Sequence, residues 1–69
     1  MADKYRITSA TIAVLREDGR QVARTVPAGS VITVEKLDGN KLIEVTWDER
    51  NEKVMMFAQD IRARGERIV

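Results

Sequence analysis

Asp18-Gly19 and Asp38-Gly39-Asn40 each stand between two short runs of alternating apolar residues. No other feature constrains this chain as much. Tight loops of this composition tolerate the positive φ that closes an antiparallel hairpin, and their twist matches that of the strands they join. The runs are short and rich in β-branched residues, as strands are. Ile12 and Val14 alternate with Ala13 and Leu15, and Val22 and Val26 flank Arg24. Ile32 and Val34 alternate with Val31, Thr33 and Glu35. Ile43, Val45 and Trp47 alternate with Leu42, Glu44, Thr46 and Asp48, and Val54 and Met56 with Met55 and Phe57. Pro27-Ala28-Gly29 supplies a further turn, and residues 48–52 form a charged connector in which Asn51 suits a left-handed position.

Side chains alternate between the two faces of a strand. That parity assigns Ile12, Val14, Val22, Val26, Ile32, Val34, Ile43, Val45, Val54, Met56 and Ile61 to the interior. It leaves Leu15, Val31, Leu42, Met55 and Phe57 facing outward. The tail differs in kind. Residues 57–64 tolerate helix, Phe57 and Ile61 are spaced four apart, and Gly65 follows as a stop. One short helical turn, of the 3₁₀ type, is predicted there. Residues 66–69 return as a last strand, or else the helix continues through Ile68. The expectation is one all-β domain over residues 1–69, a small five-stranded barrel with a short helical turn before the last strand.

Composition removes whole classes of chemistry. The chain has 69 residues, no Cys and no His. It therefore lacks disulfides, thiol nucleophiles, thiolate metal sites and the side chain that most often acts as a general base near neutral pH. Twelve Lys and Arg against eleven Asp and Glu give a net charge of +1, too little to hold nucleic acid or an anionic membrane by its overall field. The apolar runs are far below membrane-spanning length. Met1-Ala2-Asp3-Lys4 carries no apolar signal segment, so a cytoplasmic setting is expected. A chain this short folds to roughly 4,400 Å² of surface and buries a correspondingly thin core.

The stretch from Ala10 to Ile68 resembles the bacterial form of the Src-homology-3-like barrel. The resemblance rests on a long first hairpin, on the diverging turn and strand from Thr25 to Val34, and on two further strands before a helical turn at Phe57–Ile61. The same pattern resembles a group of small bacterial proteins with no assigned activity. Eukaryotic barrels of this class bind proline-rich peptides on an aromatic groove. At the corresponding positions this chain has Leu42, Phe57 and Asp60 in place of Trp, Pro and Tyr, so peptide binding is not implied. The chain is also similar to the type II dihydrofolate reductases, small barrels that work as tetramers around a Val-Gln-Ile-Tyr motif. Here Val54-Met55-Met56-Phe57 replaces the Gln by Met and the Tyr by Phe. That removes the polar groups the activity needs and leaves oligomeric use of the barrel as the implied property.

Three groups of residues are candidate sites. Asp48, Glu49 and Glu52 could gather oxygen ligands for a hard cation, but Arg50 and Lys53 are interleaved with them, as in a solvated turn. Asp38-Gly39-Asn40 is read as a turn for the same reason. Arg20, Arg24, Arg62, Arg64 and Arg67, with Arg6 and Arg16 nearby in sequence, could form a phosphate-binding strip. No aromatic accompanies them to stack on bases. Leu42, Met55 and Phe57, with Leu15 and Val31, are an outward apolar set that, if several of them meet, exceeds what a monomer's surface ordinarily carries, unless the first hairpin and the Tyr5-Arg6-Ile7 segment fold over it. No phosphate loop, nucleophile elbow, metal-ligand spacing or catalytic constellation occurs, and no cofactor is implied. The expected function is a non-catalytic protein-interaction module that self-associates. The alternative is a nucleic-acid-binding barrel using the scattered arginines.

Overall fold

The computed structural model describes residues 2–39 and 41–68. Asn40, within the second turn signal, and Val69, at the end of the expected last strand, lie outside the described residues. Among the described residues, seven strands form one curled antiparallel half-barrel: β1 (Asp3–Ile7), β2 (Thr11–Glu17), β3 (Arg20–Val26), β4 (Val31–Val34), β5 (Leu42–Trp47), β6 (Glu52–Phe57) and β7 (Gly65–Arg67). Their order across the sheet is β3-β2-β6-β5-β4-β1-β7. A 3₁₀ turn, Asp48–Arg50, joins β5 to β6, and the helix α1 (Ala58–Arg64) joins β6 to β7. The surface area is 4604 Å², close to the value expected for the length.

The all-β expectation holds, and the strand number is corrected from five to seven. The strands without a matching apolar run are β7, Gly65-Glu66-Arg67, and β1, where Asp3-Lys4-Tyr5-Arg6-Ile7 has only two large apolar residues. The strand β1 is held by main-chain pairing on both edges, antiparallel to β4 on one side and to β7 on the other. The turn before β4 fastens its end, because the Ile7 amide donates to the Ser30 carbonyl and the Gly29 amide donates to the Ile7 carbonyl. The helical stretch is an α-helix of seven residues rather than a 3₁₀ turn, and a short strand follows it.

Gly65 has a different role from the one its position suggests. Its φ of −126° is extended, not left-handed. A Cβ there would lie 2.6 Å from the Ile61 carbonyl oxygen, so glycine is required by the close approach of β7 to the end of α1.

The first hairpin sets the register of its two strands. Asp18 and Gly19 have φ of 53° and 77°, the two positive values of a two-residue hairpin turn, and Glu17 pairs with Arg20. Counting back along the ladder, Leu15 pairs with Val22, Ala13 with Arg24 and Thr11 with Val26. Paired residues share a face. Val26 is fully buried, so Thr11, Ala13 and Leu15 point inward with it. The face assignment of β2 is thereby corrected. Leu15 is 5% exposed and belongs to the core, whereas Ile12 is 53% exposed and lies outside with Val14. Elsewhere the parity stands. Ile32, Val34, Val45, Trp47, Val54, Met56 and Ile61 are buried, with Ile7 and Ala13 completing the core and Val22 and Ile43 packing at its edge.

Candidate functional site

The outer face of the sheet carries the main candidate site. The β5–β6 ladder sets Leu42 opposite Phe57 and Glu44 opposite Met55. Leu42 is 37% exposed and Phe57 48%, while Met55 is half-buried. The adjacent strand joins at a single pair, Val14 with Met55. Val14 in turn pairs with Ala23, and Ile12 with Thr25. The three residues expected to form an apolar patch thus share one face with three more, Ile12, Val14 and Ala23. The reversed parity of β2 is what brings Ile12 and Val14 there.

Polar residues surround this face on one side. A groove of about 290 Å³ lies where β2 and β6 separate, lined by Val14, Arg16, Gln21, Glu44, Lys53 and Met55 among others. In Val54-Met55-Met56-Phe57 the first and third residues are core, and Met55 and Phe57 face outward. The two positions where the reductase motif carries Gln and Tyr are therefore surface positions here, occupied by apolar side chains.

The acidic connector is dispersed into separate contacts. Asp48 receives hydrogen bonds from the Lys4 ammonium and, at 2.7 Å, from the Thr33 hydroxyl. Lys4 also donates to that hydroxyl at 2.8 Å. Glu49 accepts the Val31 amide at 3.0 Å, and Glu52 pairs with Arg50 at 3.1 Å. Arg50 in turn lies 5.1 Å over the Trp47 ring. Among the described residues, no three acidic side chains are placed to hold a metal ion.

Partial burial raises the Asp48 pKa. The hydrogen bonds from Lys4 and Thr33, with the Lys4 charge, outweigh that effect and hold it below its ordinary value. A carboxyl depressed in the folded state contributes stability above its unfolded pKa and loses it as pH falls through its folded pKa. The melting temperature of the wild type should therefore exceed that of Lys4→Met most clearly at neutral pH. The gap should narrow below about pH 4. A gap of constant size down to roughly pH 2 would show that Asp48 is not the group responsible.

The arginines fall on separate elements. Arg20 and Arg24 are on β3, one end of the strand order, and Arg62, Arg64 and Arg67 are on α1 and β7 at the other. Arg24 is ion-paired with Glu17, Arg64 donates to the Ala10 carbonyl at 2.9 Å, and Arg67 pairs with Asp3 at 3.3 Å. Among the described residues, no helix is long and apolar enough to cross a membrane.

No protein-family model, curated protein or solved structure matches the chain.

Proposed function

We propose that this protein is a non-catalytic interaction module, a variant of the Src-homology-3-like barrel, that self-associates through its outer apolar face in a cytoplasmic setting. The observation that supports this is the grouping of Leu42 and Phe57, directly opposed and open to solvent, with Met55, Val14 and Ile12 on the same face. Exposed apolar area of this kind marks contact surfaces. A small domain also gains stability from burying it against a partner. The nucleic-acid alternative has less support, because at least four of the five arginines, Arg24, Arg62, Arg64 and Arg67, have contacts within the chain.

The test is a Met55→Lys, Phe57→Lys double variant beside the wild type. Both sites are on the outer face, so the variant should keep the wild-type fold by circular dichroism and lose association by at least tenfold in sedimentation. A folded double variant that assembles as tightly as the wild type would refute the proposal.

A further inference from the structure

The strand β3 is one end of the sheet, and among the described residues its whole length is paired on one side only. The two-residue turn determines which of its main-chain groups are free. The residues that close such a turn, Glu17 and Arg20, exchange both of their hydrogen bonds. From there the direction alternates. Arg20, Val22, Arg24 and Val26 turn their N–H and C=O groups toward β2, and Gln21, Ala23 and Thr25 turn theirs toward the open edge. All three of these residues are exposed. The same alternation on β2 points the Val14 groups toward β6, which agrees with the pair Val14–Met55.

We infer that this edge is completed by β3 of a second copy, antiparallel, about a two-fold axis at Ala23. Ala23 then faces Ala23 of the partner subunit, and Gln21 faces Thr25 of the partner subunit. That arrangement satisfies all three outward-facing residues with up to about six main-chain hydrogen bonds. Other centres do worse. An axis at Thr25 sets Ala23 against Pro27, which has no N–H. An axis at Gln21 carries Thr25 past the hairpin tip.

Charge favours the same register. Arginines on an edge strand ordinarily deter pairing. About Ala23, however, Arg20 falls opposite Val26 of the partner subunit and Arg24 opposite Val22 of the partner subunit, so no like charges are directly opposed. Arg24 is also neutralised by Glu17 within its own chain. The small Ala23 side chain lets the Val14–Ala23 row of one copy continue into that of the other, which makes the two outer faces one surface.

This inference rests on the self-association reading and names a contact within it. The experiment is amide hydrogen exchange at Gln21, Ala23 and Thr25, from low micromolar to near-millimolar protein. It compares the wild type, Ala23→Lys, Ala23→Glu, an equimolar mixture of those two, and the Met55→Lys, Phe57→Lys variant. At a two-fold axis residue 23 meets only itself. Protection of the three amides should rise at least tenfold with wild-type concentration, vanish in Ala23→Lys and in Ala23→Glu, and return in the mixture. Rates independent of concentration in the wild type, protection that persists in Ala23→Lys, or a mixture no better protected than its components would overturn the edge contact. If the wild type nevertheless assembles and the outer-face variant does not, the apolar-face reading stands without the edge. Protection that survives in the outer-face variant supports the edge and removes the face from the assembly.

Discussion

Replacing Trp47 with alanine is expected to unfold the protein or to lower its melting temperature by roughly 12 °C or more. Trp47 ends the inward series Ile43, Val45, Trp47 of β5 and is 5% exposed. It stands opposite Ile32 on β4 and Glu52 on β6, so its removal opens a cavity where three strands meet. Truncation of a buried aromatic costs about 3–5 kcal/mol. A domain of this length has a total stability of that same order. Arg50→Ala removes the contact over the indole face, worth about 0.5–1 kcal/mol, and the surface ion pair with Glu52, and should leave the fold intact. A Trp47→Ala protein that melts with the wild type would place the ring outside the core and make it available as a ligand platform.

A second large effect separates two neighbouring apolar positions. Leu15→Ala should cost about 2–5 kcal/mol and Ile12→Ala less than about 1 kcal/mol, read as denaturant midpoints at unchanged slope. Leu15 packs within the core, whereas more than half of Ile12 is in solvent. The opposite ranking would return Ile12 to the interior and with it remove one end of the proposed contact face.

That second case shows how much the sequence contained. Thr11-Ile12-Ala13-Val14-Leu15 is apolar on both parities after its first residue, so alternation alone does not choose a face. The Asp18-Gly19 turn does choose. Once Glu17 pairs with Arg20, Val22 and Val26 share a face with Leu15 and Thr11, and cannot share it with Ile12 and Val14. The information was present in the turn and the residue count, and reading each strand's alternation separately missed it. In the β5–β6 hairpin only β5 alternates clearly; Val54-Met55-Met56-Phe57 is apolar on both parities and takes its faces from its pairing with β5.

Other features were not legible for physical reasons. The strand β1 is stabilised by two sets of main-chain pairs and has almost no alternation of its own. Gly65 carries a signal shared by helix stops and close backbone contacts, and only the 2.6 Å approach to Ile61 distinguishes them. The place of each arginine in the strand order is something a linear reading of charge does not contain.

The central claim is that this small half-barrel covers its outer apolar face with further copies of itself. Sedimentation equilibrium of the wild type over a wide concentration range tests it most directly. The chain mass is 7.8 kDa. The account predicts a weight-average mass that rises with concentration to a multiple of that value, as expected for a closed assembly. A mass that stays at that of one chain up to high micromolar concentration would contradict it.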